Sequence, residues 1–126
     1  MKIIPPTKIC LQNSPLHDLG VFSTHKLIKG EIIDICPFIS FPQKSTESLP
    51  VFSNYAFCYP RGENWHTHAM VMGYGSYYNH SENPSVNWYT DEKNKVFVFF
   101  ALRDIVEDEE LLINYGNGSF FDDRIK

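Results

Sequence analysis

No apolar run in this sequence reaches the ~18 residues that a membrane-spanning helix requires, so no membrane partner is expected. The N-terminus, Met-Lys-Ile-Ile-Pro-Pro, lacks the apolar segment and cleavage site of a signal peptide, so secretion by that route is not expected either. Cysteine is scarce and odd in number. Cys10, Cys36 and Cys58 are far apart and no C-x-x-C occurs, which argues against a structural zinc site and for buried, reduced thiols in a cytosolic protein. Basic charge is also short: 11 Lys and Arg face 15 Asp and Glu, for a net charge of −4. A nucleic-acid binder usually carries a basic stripe, so direct nucleic-acid binding is not expected, whereas a mildly acidic surface suits a basic peptide by electrostatic steering. No basic localisation cluster decides between cytoplasm and nucleus. Internal repeats, low-complexity tracts and linkers are missing too, and 126 residues are most simply one domain.

What is present is a soluble-protein composition, 43% hydrophobic and 21% charged, with a high aromatic share of 15%. Most of the rings should be core, yet seven Tyr leave room for a pocket with hydroxyls on its walls. The segments are short, β-rich and closely punctuated. "KICLQN" (8–13) and "GVFSTH" (20–25) read as two strands around the turn "SPLHDL". Residues 27–41 open with the turn Lys29-Gly30 and continue as strand, broken by Pro37, and "PQKSTESLP" (42–50) is the most loop-like stretch. "NWHTHAMVMG" (64–73) has the period of a strand, with Trp65, Thr67, Ala69 and Val71 on one side and His66, His68, Met70 and Met72 on the other. "SVNWYT" and "KVFVFFAL" flank a hairpin turn at 91–94, the second being apolar enough to be buried on both faces. "ELLINYG" (110–116) is a last strand after an acidic turn. The fold class is therefore mostly β, with one or two short helices.

Several chemistries find no support. His66 and His68, at i, i+2 on one strand face, could chelate zinc only with a third ligand such as His80, so no metal is expected. No G-x-S-x-G or catalytic-cysteine context occurs, and "GYGSYYN" lacks the Lys-Ser/Thr of a phosphate loop.

Three stretches belong together: "SPLHDLGVFS" (14–23), "MVMGYGSYYNHSENPSVNWY" (70–89) and "DEELLINYGNGSFF" (108–121). In order and spacing they resemble the SET domain, the protein lysine methyltransferase fold, over about residues 8–121. The likeness is to minimal, free-standing members of large DNA viruses and some bacteria, without flanking pre-SET or post-SET zinc modules. The carrying pattern is N-H-S-x-x-P followed about 35 residues later by E-E-L-x-I-x-Y-G, with G-V-F upstream.

The resemblance implies a β-clip fold of several short sheets with a C-terminal pseudoknot that brings Asn79 and His80 beside Tyr115. It implies S-adenosylmethionine as cofactor and a protein lysine, in a histone tail or another protein, as substrate. Tyr115 matches the catalytic tyrosine, Asn79 the residue that bonds the methionine end of the cofactor, and His80 the one whose backbone meets the adenine edge. Leu19 and Gly20 stand in the family's G-x-G, whose first glycine is here Asp18, a residue that tolerates left-handed backbone angles. Tyr55 falls at a lysine-channel tyrosine, and Trp88 near a position that tunes methyl number, where an inward indole would disfavour a second or third methyl. Phe121 is assigned to the adenine and Phe120 to the channel, exchangeably, because the spacing after Tyr115 is one residue longer than in the viral form. Tyr77 and Tyr78 are expected to pack the strand that presents Asn79 and His80. The minimal relatives pair, so a homodimer is compatible. A non-catalytic SET-fold module is the alternative, but it would have no need of the Tyr115 hydroxyl.

Overall fold

In the computed structural model, residues 1–42 and 55–117 are described. Among the described residues ten short strands form three small sheets. The first is a hairpin, β1 (Ile9–Asn13) and β2 (Leu19–Ser23), joined through residues 14–18 and closed by the Ser14 N–H donating to the Asp18 carbonyl at 2.8 Å. Asp18 takes φ +41°, the left-handed angle its short polar side chain tolerates.

Pro37, which cannot donate to a ladder, divides the next stretch into β3 (Ile32–Cys36) and β4 (Phe38–Phe41). These join different sheets. β4 pairs with β6 (Thr67–Val71), whose other edge takes β5 (Phe57–Tyr59), a strand too short for its alternation to be read in advance. β3 pairs with β9 (Val96–Ala101), which also takes β8 (Val86–Asp91). A strand central to its sheet and covered on both faces should be apolar throughout, and in β9 every residue but Phe100 is buried. The core gathers around Phe97, Phe99, Trp88, Val21, Leu27, Leu111 and Ile113, all fully buried.

The two remaining strands build the site. β7 is only Asn79–His80, and β10 is Glu110–Ile113. β10 lies between β2, antiparallel, and β7, parallel, in the order β1-β2-β10-β7. The loop after β7 grips β10 by its backbone: Ser81 N–H donates to the Ile113 carbonyl (2.9 Å) and Ser85 N–H to that of Leu112 (3.1 Å). The Ser85 hydroxyl oxygen accepts the Leu112 N–H at 3.2 Å. β10 ends at Ile113, three residues earlier than its sequence suggests, and Tyr115–Asn117 form a 3₁₀ turn. A second such turn, Gly75–Tyr77, precedes β7. Most of the loop-like stretch 42–50 lies outside the described residues.

Candidate active site

Because β10 runs beside β7, residues far apart in sequence converge. Tyr115 is tethered at both ends. Its N–H donates to His80 Nδ1 at 3.0 Å, with the two rings 5.0 Å apart, and its hydroxyl donates to the Tyr78 carbonyl at 3.0 Å. Burial, with lesser contributions from Tyr55 and Glu110, raises the Tyr115 hydroxyl above the usual phenol range, so it stays protonated at neutral pH. The proton is spent on Tyr78, which leaves the oxygen lone pairs as the free part of the group.

Asn79 is buried beside it. Its Nδ2 donates to Glu110 Oε2 at 2.9 Å and lies 3.2 Å from the His17 carbonyl and 3.4 Å from that of Leu19. The second carboxylate oxygen, Glu110 Oε1, accepts the Ser14 hydroxyl at 2.9 Å. Gly20 makes room for this arrangement: a Cβ there would stand 2.3 Å from Glu110 Oε2 and 3.0 Å from Asn79 Nδ2.

A cavity of about 130 Å³ opens among Asp18, Leu19, Tyr55, Tyr77, Asn79 and Tyr115. A wider apolar one of about 590 Å³, edged by Met70 and Met72, shares Tyr55, Ser76 and Tyr77 with it. Four of the residues singled out from sequence, Leu19, Tyr55, Asn79 and Tyr115, thus share one cavity. Gly20 adjoins them, and His80 is exposed behind Tyr115 as the acceptor of its N–H. Phe120 and Phe121 lie outside the described residues.

Two expectations need correction. Trp88 is not on either cavity wall: its ring is fully buried, edge-on to Phe57 at 5.3 Å, with the Arg61 guanidinium 4.6 Å above it. The reason is alternation along β8, which turns Val86 and Trp88 inward. Tyr77 does not pack the strand with Tyr78. It is 43% exposed and lines both cavities, whereas Tyr78 is buried and stacked on Phe99 at 4.6 Å. Tyr77 ends a 3₁₀ turn and Tyr78 is extended, so neighbouring side chains part. Glu110 was legible as part of the E-E-L pattern but carried no role there; the signal was an acid leading an otherwise apolar strand. Among the described residues no three His, Cys, Asp or Glu converge to hold a metal.

Behind the site, the buried Asp34 carboxylate accepts the Tyr78 hydroxyl at 3.1 Å and a hydrogen bond from Cys36. Burial raises the Asp34 carboxyl above its usual range, those two hydrogen bonds opposing it only in part, and pushes the Tyr78 and Cys36 groups up as well. A raised folded-state value means that the native protein binds the proton more tightly, so Asp34 costs stability as pH climbs through that value and costs nothing below about 3.8. Asp34→Asn should therefore gain on the wild type as pH rises from about 4 to neutrality. Urea unfolding of both proteins across that range checks this; a difference that is flat or of opposite slope would contradict it.

The SET-domain sequence profile matches residues 18–116, and the matched span carries the Asn79–Tyr115 site just described. The chain belongs to the SET-domain family. Over 108 residues it is 30% identical to the histone-lysine N-methyltransferase of Schizosaccharomyces pombe specific for H3 lysine-37, a match covering 83% of this chain and 71% of that protein. The crystal structure of a candidate histone methyltransferase from Plasmodium falciparum superposes with a TM-score of 0.70 at 34% identity, covering 86% of this chain and 93% of that one. A chain of Chaetomium thermophilum Polycomb Repressive Complex 2 gives a TM-score of 0.74 over 92% of this chain but only 16% of its own length; at 18% identity it shows the fold alone. Family and relatives together make this SET-domain protein a lysine methyltransferase.

Proposed function

We propose that this SET-domain protein transfers a methyl group from S-adenosylmethionine to a lysine side chain of a protein, a histone being the first substrate to try, and that Tyr115 is its catalytic residue. The observation that carries the reading is the meeting of Tyr115 and Asn79 with Tyr55 and Tyr77 on one cavity.

The residues present suit such a cofactor. Asn79 has its amide hydrogens engaged and no protein partner for Oδ1 among the described residues, which suits it to a donor such as an amino group. Gly20 keeps the backbone bare beside it. When bound, S-adenosylmethionine supplies a methyl already activated by its sulfonium toward in-line attack. The protein's part is then mainly orientation. Tyr115 directs its lone pairs, not its proton, at the cavity, and these can hold a polarised methyl through weak C–H···O contacts. Its raised pKa keeps it protonated at neutral pH, so no phenolate is present to take the lysine proton. Tyr55 and Tyr77 line the cavity with rings against which a lysine stem could pack, and loss of bulk water there favours the neutral amine that attacks. A histone substrate would place the protein at chromatin. Phe120 and Phe121 keep their proposed places at the channel and the adenine.

The test is calorimetric titration of S-adenosylmethionine into the wild-type protein, followed by methyl transfer to core histones and to a lysate, read by mass spectrometry on lysine. One-site binding with methyl-lysine formed is the expected result. No cofactor binding would sink the reading, and binding without transfer to any protein would leave a non-catalytic module.

A further inference from the structure

Asn79 could face a ligand with either end of its amide, and the two ends recognise opposite chemistry: Nδ2 donates, Oδ1 accepts. Which end is presented is decided by what surrounds it. Here every polar atom around Nδ2 is an acceptor: Glu110 Oε2 at 2.9 Å, the His17 carbonyl at 3.2 Å and the Leu19 carbonyl at 3.4 Å. The carboxylate is the nearest and the charged one, and a charge-assisted hydrogen bond is the strongest of such contacts. A flipped amide would set Oδ1 against these acceptors, oxygen to oxygen, and strand a buried side chain's donor on the far side.

Glu110 is itself held. Ser14 donates to its Oε1 from the β1–β2 turn, and Gly20 is the residue whose missing Cβ admits its Oε2. Ser14, Gly20, Glu110 and Asn79 therefore form one relay across three neighbouring strands, ending on the Asn79 carbonyl oxygen. Glu110 needs no contact with any ligand to matter.

We infer that Glu110 is a positioning residue that locks the Asn79 amide with Oδ1 toward the cavity, so that the site selects a cofactor bearing a free amino group; this rests on the cofactor reading above. The lock acts by orientation, and a carboxamide oxygen at position 110 would accept from Asn79 Nδ2 nearly as well.

The experiment compares S-adenosylhomocysteine with its deaminated analogue, each titrated calorimetrically into wild type, Glu110→Ala and Glu110→Gln, with thermal melts to verify folding. Loss of a hydrogen bond to a charged amino group should cost the wild type about 10- to 100-fold in affinity for the analogue. That penalty should shrink to about 3-fold or less in Glu110→Ala, where the amide is free to turn, and survive in Glu110→Gln. Full discrimination retained by Glu110→Ala overturns the inference, as does equal loss in Glu110→Gln, which would mean that charge acts instead. If Glu110→Ala does not fold, Ser14→Ala takes its place, and the same penalty should fall several-fold; an unchanged penalty there overturns the inference too. A wild type that binds neither compound rejects the cofactor reading itself, a result plainly different from binding without discrimination.

Discussion

Tyr115→Phe should lower the rate of methyl transfer by about 100-fold or more while leaving the affinity for S-adenosylmethionine within about 3-fold of wild type, the size of effect expected when a reacting group loses its alignment. The substitution deletes one oxygen and keeps the ring, so the 5.0 Å contact with His80 and the backbone N–H bond to His80 Nδ1 persist. What disappears is the group fixed against the Tyr78 carbonyl with its lone pairs turned to the cavity. Losing a partly buried hydroxyl leaves the Tyr78 carbonyl without that donor, worth about 1 kcal/mol of stability, far too little to unfold the protein. Single-turnover transfer beside a binding isotherm separates the two effects. The pH profile adds a sign. Because burial holds the Tyr115 hydroxyl protonated, the wild-type rate should go on rising through pH 8–9 as the lysine amine deprotonates (reference pKa ~10.4) and show no fall from tyrosine ionisation there. Equal loss of rate and of cofactor affinity would mean that Tyr115 is a binding residue.

Trp88→Ala should cost about 3–5 kcal/mol of folding stability, the range for deleting a large aromatic from a packed core. The indole is fully buried, lies 5.3 Å from Phe57 and 6.1 Å from Phe99, and carries the Arg61 guanidinium on its face. Arg61 is fastened at both ends of that stack, donating from Nη1 to the Asn87 side-chain oxygen at 3.0 Å and to the Trp88 carbonyl, and from its backbone N–H to Thr90 Oγ1 at 3.0 Å. Removing the ring empties a space beside Phe57 and Phe99 and takes away the face on which the Arg61 guanidinium lies. For a chain of this size the melting temperature should drop on the order of 10–20 °C. Trp88→Phe should be milder, about 1–3 kcal/mol, because Nε1 has no hydrogen-bond partner among the described residues to lose. A melt of Trp88→Ala within a degree or two of wild type would show that the indole is not core.

The strands and the site differ in how far the amino-acid order reveals them. β9 announces itself by an unbroken apolar run, which follows directly from burial on two faces; β6 was legible by its alternation, although His68 on its other face is buried as well. Leu19, Asn79 and Tyr115 were legible through motif spacing, which records which residues must meet without saying by what route. The paths of Tyr77 and Trp88 were not, nor was the contact of Glu110 with Asn79. The side on which Tyr77 emerges depends on a three-residue 3₁₀ turn with no periodic signature, and β5 is too short to have one. Glu110 meets Asn79, Ser14 and Gly20 through contacts that exist once β10 has entered between β2 and β7. Trp88 was placed by likeness of position, while the alternation of β8 decides where its ring goes.

That insertion of β10 also governs when the protein becomes competent. Ser14 and Glu110 are 96 residues apart in the chain, and the strand that joins them is flanked on one side by an antiparallel and on the other by a parallel neighbour. Closing so long a loop is paid in entropy before its contacts return anything, so such pairings form late and slowly. The hairpin of β8 and β9, built from adjacent residues, can form early and offer a core with no pocket. Methyl transfer therefore depends on the seating of β10: without it the chain keeps most of its secondary structure but not the meeting of Glu110 and Asn79.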